Sequence, residues 1–150
     1  MLANKIGMPV PEAEGAPEDR AAAAEREALI KLHETALTFF KAQLASPAGA
    51  RARRELESRQ LKPETIAQFG YGFAPAAGRE TLAALFASQK VSTALQVRSG
   101  LVMEREGGRL VDRFRNRLMI PIARDNGAIV AFGGFLYGLA AIRLFAPRRE

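Results

Sequence analysis

The sequence predicts an α+β domain, with helices first and a small antiparallel sheet after. Three observations carry that reading. Apolar residues recur every three or four positions between residues 29 and 44. Beyond Gly100 the apolar spacing shortens towards two. Asp125-Asn126-Gly127 then separates two β-rich runs, 118–122 and 128–132. Asn and Gly tolerate positive φ, so this tripeptide reads as a hairpin turn.

Residues 1–19 read as a linker, because Pro9, Pro11, Gly15 and Pro17 stand among four acids and proline withdraws a backbone donor. From Arg20 to Leu44 the pattern is helical: Leu29, Leu32, Ala36, Phe40 and Leu44 form one stripe, with Lys31, Glu34, Lys41 and Gln43 on the other side. Ser46-Pro47 reads as an N-cap and first helical proline, opening a second helix through residues 50–60. A short third helix, 63–69, stops at Gly70. A fourth fits 79–88 and a fifth 92–98, the latter ending at Gly100. Residues 101–106, the Gly107-Gly108 turn and residues 109–112 read as a hairpin, ahead of the two runs around Asn126.

Of the 150 residues, 48% are hydrophobic and 25% charged, which excludes a mainly disordered or fibrous chain. No apolar run reaches the roughly 18 residues of a spanning helix, and the opening residues lack the apolar core of a secretory signal, so the expectation is a cytoplasmic protein with no membrane partner. With no cysteine and one histidine, cysteine zinc sites, thiol nucleophiles and histidine metal clusters are excluded. His33 lies in the apolar stripe and reads as a packed histidine with one hydrogen-bond partner.

The net charge of +6 is unevenly placed. Residues 1–50 hold five Lys/Arg against seven Asp/Glu, whereas residues 109–150 hold eight against three. Such asymmetry points to a polyanion partner, most often nucleic acid. The densest stretch runs from Asp112 to Ile122. If residues 113–118 are extended, Arg113, Arg115 and Arg117 project from one face over about 13 Å, at roughly 3.3 Å per residue. Three guanidinium forks in a row suit the phosphates of a strand. A solvated sheet face, charged to discourage edge pairing, accounts for the same spacing. Arg51, Arg53 and Arg54 do not share one narrow face, and Arg51–Glu55 and Arg53–Glu57 are i,i+4 pairs, so the second helix reads as salt-bridged and exposed, with Arg59 at its end the exception. Gly133-Gly134 fits either a turn or a close approach of backbone to a ligand. After Glu106 the acids are Asp112, Asp125 and Glu150, too few for a two-metal centre, so no catalytic or metal-binding residue is assigned.

Together these segments resemble bacterial DnaG-type DNA primase, in the N-terminal subdomain of its RNA-polymerase core. Val111-Asp112-Arg113-Phe114-Arg115-Asn116-Arg117-Leu118-Met119-Ile120-Pro121-Ile122 is similar to the family's YDRFRxRxMFPI run. Asp125-Asn126-Gly127 and the Ile129–Gly134 run are similar to the hairpin and V-x-GFGG strand that follow it. Leu56-Glu57-Ser58-Arg59-Gln60-Leu61 resembles L-x-x-RGL, and Pro63-Glu64-Thr65-Ile66 through Pro75 resembles ETI-x-x-F-x-LGYAP. The Leu2–Pro9 stretch is similar to the family's connection from its zinc domain to this core.

The family makes short RNA primers on single-stranded DNA during replication, using magnesium and nucleoside triphosphates. The resemblance implies that Arg59, Arg113 and Arg115 face the template groove, with Arg117 in the same run, against single-stranded DNA or an RNA–DNA hybrid. It also implies partners: the zinc and Toprim domains, whose metal sites are missing here, and the replicative helicase. This stretch would then be a primase fragment supplying the basic template-binding wall and inactive alone. The alternative is a non-catalytic, single-stranded nucleic-acid-binding or regulatory protein that keeps the subdomain fold. The expected domain is 20–134, with 135–150 a divergent tail. Phe135 stands where the family has arginine, the PKYLNS segment is absent, and Lys62 replaces a helix-capping serine. The tail is expected either as sequence unrelated to the family, from a truncated or frame-shifted gene, or as a short helix packed on the sheet.

Overall fold

The computed structural model describes residues 16–76, 78, 80–135 and 142–145. Helix α1 spans Pro17–Ala45, opened by a proline whose missing N–H costs nothing there and by Glu18 and Asp19 in its first turn, which complement the helix dipole. Leu32, Ala36, Phe40 and Leu44 of the predicted stripe are buried. A 3-10 turn, Pro47–Gly49, leads to α2, Ala50–Ser58. Ser46 does not cap it by side chain; its hydroxyl donates back to the Gln43 carbonyl at 2.7 Å. Helix α3, Pro63–Phe69, ends at Gly70 with φ 72°, the left-handed cap the sequence predicted. Strand β1, Gly72–Ala74, is an element the sequence reading missed.

Helix α4, Leu82–Ser88, and α5, Thr93–Arg98, are capped by the side chains of Thr81 and Ser92. Residue 79, the predicted start of the fourth helix, lies outside the described residues, but Glu80 is not helical and Thr81 is the extended N-cap, so the helix begins at Leu82. Strands β2, Val102–Glu104, and β3, Leu110–Asp112, form the first predicted hairpin. Strands β4, Arg117–Ala123, and β5, Ile129–Phe135, form the second, turned at Gly127 with φ 87°. Strand β6 is Ile142–Phe145. The fold class is α+β as expected, but the strands make two antiparallel sheets: a four-stranded one in the order β1-β4-β5-β6, and the β2–β3 pair.

Residues 142–145 pair with β5, Phe132 opposite Phe145 and Phe135 opposite Ile142, so this part of the tail is a strand and not a short helix. The remainder of the expected tail, 136–141 and 146–150, and residues 1–15 of the expected linker lie outside the described residues. Among the described residues no helix is long and apolar enough to cross a membrane.

The main core sits between α1 and the large sheet, closed at one end by α4 and the small sheet. Leu32, Ala36 and Phe40 meet Phe86, Met119 and Phe132 there. Phe40 and Phe132 meet edge to face, their ring centroids 5.3 Å apart. A second cluster packs Leu44, Ala52 and Leu56 against Phe73 and Leu118, holding α2 beside the β1–β4 rungs. β1 can approach α1 because Gly72 has no side chain: a Cβ there would lie 2.5 Å from Phe40 Cβ.

His33 is buried, with a backbone carbonyl beside each ring nitrogen. Nδ1 lies 2.9 Å from the Ile129 carbonyl and Nε2 3.0 Å from the Ser99 carbonyl. It joins α1 to β5 and to the end of α5. Arg53 does not reach for Glu57: it donates to the Leu44 and Ser46 carbonyls at 2.6 and 2.7 Å, satisfying the last turn of α1 from α2.

Candidate nucleic-acid interface

The basic run leaves β3 at Asp112, whose carboxylate accepts the N–H groups of Leu82 at 2.7 Å and Ala83 at 2.8 Å. Thr81 Oγ1 accepts the next, from Ala84, at 3.0 Å. The first turn of α4 is thus satisfied by a strand end and a loop hydroxyl. Burial pushes the Asp112 carboxyl above the usual range, while the two N–H bonds and the nearby charge of Arg115 pull it down.

The next five residues alternate between anchoring and display. Arg113 donates its N–H to the Leu101 carbonyl at 2.9 Å and is half-buried. Phe114 is buried, and its ring lies where a side chain on Gly134 would stand, 2.8 Å from the Cβ position. Arg115 is exposed. Asn116 adopts φ 54° and its N–H reaches the Pro75 carbonyl at 3.4 Å. Arg117 opens β4 opposite Ala74, and its guanidinium donates to the carbonyls of Arg115 at 2.9 Å and Asn116 at 3.3 Å.

Two expectations are corrected here. Residues 113–116 are not an extended strand presenting a flat arginine stripe. Phe114 must enter the core and Asn116 must turn left-handed to start β4, so the run is a pinned loop and Arg117 alone belongs to a strand. Gly133-Gly134 is not a turn; both lie within β5, and Gly134 makes room for Phe114.

The structure also sets beside Arg115 two arginines that sequence reasoning left out. A pocket of about 460 Å³ is lined by Pro75, Thr81, Arg105, Arg109, Asp112 and Arg115, among others. Arg105 and Arg109 flank the hairpin turn, and the Arg105 N–H donates to the Arg109 carbonyl at 2.7 Å. Their pairing was available from the hairpin register; the facing wall, from Pro75 and Thr81, was not. Arg59 is not among the pocket residues. It stands at the end of α2, salt-bridged to Glu55 at 3.0 Å.

The metal ions implied by the resemblance find no ligand set among the described residues. The sequence has no cysteine, and among the described residues no three of His, Asp and Glu stand together as ligands. Asp112 has both oxygens engaged by α4.

Residues 39–139 match the family model of the DNA primase catalytic core, N-terminal domain. The DNA primase of Escherichia coli O6:H1 is 33% identical over 137 residues, covering 91% of this chain and 23% of that protein. The chain therefore spans about a quarter of the length of such curated relatives. Among solved structures, a DnaG primase catalytic domain bound to ssDNA superposes with a TM-score of 0.76 at 32% identity, over 85% of this chain and 41% of that one. The RNA polymerase domain of Mycobacterium tuberculosis primase DnaG gives 0.72 at 28% identity, over 82% and 40%. With two-thirds of its residues on the family model and its helices and sheet on those of two DnaG cores, the chain belongs to the DnaG-type DNA primases, in the N-terminal domain of their catalytic core.

Proposed function

We propose that this chain forms the basic template-binding wall of a primase that makes RNA primers on single-stranded DNA. The observation that carries the proposal is the anchored loop of residues 112–117. Asp112 is held by α4, Phe114 by the core, and Arg117 returns to the loop carbonyls, so Arg113 and Arg115 are carried on a backbone already ordered before a ligand arrives. An ordered array of guanidiniums loses less entropy on binding phosphate than a mobile one. A similar protein has been solved with ssDNA bound, which supports the same assignment.

In this reading Arg113 and Arg115 contact template phosphates, Arg117 contributes to the track and orients Arg115, and Arg59 lies at its margin. Contacts to phosphate position a strand without reading bases, so sequence preference is slight. Magnesium, zinc and the chemistry of nucleotidyl transfer belong to other domains of the enzyme, acting in the bacterial cytoplasm beside the replicative helicase. The test sets single-stranded DNA binding by the purified chain beside primer synthesis with magnesium and all four nucleotides. Salt-dependent binding without synthesis supports the proposal. Absence of binding at low salt, or primer synthesis by this chain alone, refutes it.

A further inference from the structure

We infer that Arg105, Arg109 and Arg115 form a phosphate-binding pocket between the β2–β3 hairpin and the wall formed by Pro75, Ala76, Gly78 and Thr81. It shares Arg115 with the template-binding reading and rests on that reading to that extent. The hairpin register, Glu104 opposite Leu110, continues by one rung to Arg105 opposite Arg109. Directly opposed side chains on a hairpin share a face, and two like charges there are destabilising. Nothing in the turn requires arginine, since Gly107 and Gly108 supply its positive φ angles of 77° and 78°. Arg115 then brings a third guanidinium from a different element to the same pocket.

One acid, Asp112, stands against three arginines here, and its charge acts on Arg115. Arg105, Arg109 and Arg115 are in neither the Arg59–Glu55 nor the Arg98–Glu25 salt bridge. Asp112 is the one carboxylate in the lining, and both its oxygens accept N–H groups from α4. All three arginines are exposed, so a ligand can reach them. The pocket volume, about 460 Å³, is that of a small-ligand site. Three forked donors lining one pocket, against a single carboxylate whose oxygens are already engaged, match a tetrahedral phosphate. That phosphate comes either from the template backbone or from a free nucleotide, and the experiment separates the two.

Wild type, Arg105→Ala/Arg109→Ala and Arg113→Ala/Arg115→Ala are compared for binding of labelled oligothymidylate across a salt series, and of sodium tripolyphosphate by thermal shift. If the pocket holds template phosphate, the hairpin double variant flattens the log–log salt slope by about 1.4, from roughly 0.7 per contact. If it holds a free nucleotide's phosphates, tripolyphosphate raises the Tm of wild type but not of that variant, and the DNA slope stays the same. Arg105→Lys/Arg109→Lys keeps the slope, which guards against a folding defect. Arg105→Glu raises Tm by about 1–5 °C by pairing with Arg109 while losing phosphate binding, a trade that surface charges with no ligand would not show. An unchanged slope together with an unchanged tripolyphosphate response in Arg105→Ala/Arg109→Ala overturns the pocket. If Arg113→Ala/Arg115→Ala still flattens the slope, template binding survives that failure. Tripolyphosphate binding by a chain that ignores DNA would sink the template reading and leave the pocket standing.

Discussion

The Asp112 carboxylate accepts the backbone N–H groups of Leu82 and Ala83, at 2.7 and 2.8 Å, so the end of strand β3 caps helix α4. The same residue begins the arginine loop, which couples the stability of α4 to the placement of Arg113 and Arg115. Asp112→Ala leaves two N–H groups without an acceptor and should cost about 1–3 kcal/mol in urea unfolding. Asp112→Asn keeps one acceptor oxygen and should cost less. Equal losses for the two variants would show that the hydrogen bonds are not what holds this junction.

Burial raises the Asp112 carboxyl, against the pull of its N–H partners and Arg115. Between the unfolded value, near pH 4, and the raised folded value, the native state binds more protons than the unfolded state. This group's contribution to stability is therefore fully present below about pH 4 and is lost as pH rises through the folded value. The difference in unfolding free energy between wild type and Asp112→Asn, followed upward from pH 4, should move against wild type. A difference independent of pH would show that burial does not raise this carboxyl.

Three glycines rank by what a methyl group would meet. At Gly72 it would lie 2.5 Å from Phe40 Cβ and 2.8 Å from the Phe40 carbonyl carbon, so β1 or α1 must move. At Gly134 it would lie 2.8 Å from the Phe114 ring, which can shift at the expense of the arginine loop. At Gly127 nothing lies within 4 Å and φ alone, +87°, is unfavourable. The alanine variants should lose stability in the order Gly72, Gly134, Gly127. The Gly127 cost is about 1–2 kcal/mol, and overpacking at Gly134 about 1–3 kcal/mol. Gly134→Ala should also weaken DNA binding while remaining folded; a reversed order in thermal melts contradicts the packing described.

His33 bridges three elements through two backbone carbonyls and stands edge-on to Phe132 at 6.0 Å. His33→Ala removes buried volume and takes away the imidazole donor between two carbonyls, and should cost about 2–5 kcal/mol, as large-to-small core changes do. His33→Gln returns a donor and should recover part of the loss. Amide exchange at the start of β5 should speed up in the alanine variant, and no change there would mean that the contact to Ile129 is idle.

What could be read from the sequence was what local periodicity and turn chemistry encode. The α1 stripe was visible because one buried face imposes a period of 3.6, and Gly70 and Gly127 announced their turns by residue type. β1 was not, since three residues carry no period and its existence rests on pairing with β4 and on the room Gly72 leaves for Phe40. Arg113, Arg115 and Arg117 were picked out by charge and resemblance, but their geometry was misjudged. Alternation in sequence says nothing of Phe114 seeking a space that Gly134 provides far along the chain. Arg105 and Arg109 were passed over because a charge beside a turn looks like solvation until the opposite wall is known.

The most direct test of template binding is the salt dependence of single-stranded DNA affinity for wild type and Arg113→Ala/Arg115→Ala. Counterion release assigns about −0.7 to the log–log slope for each single-strand phosphate contact, so three loop arginines contribute about −2. The double variant should flatten the slope by about 1.4 while its circular dichroism and Tm stay near wild type. A folded double variant with the wild-type slope would contradict the assignment and leave these arginines as surface charge.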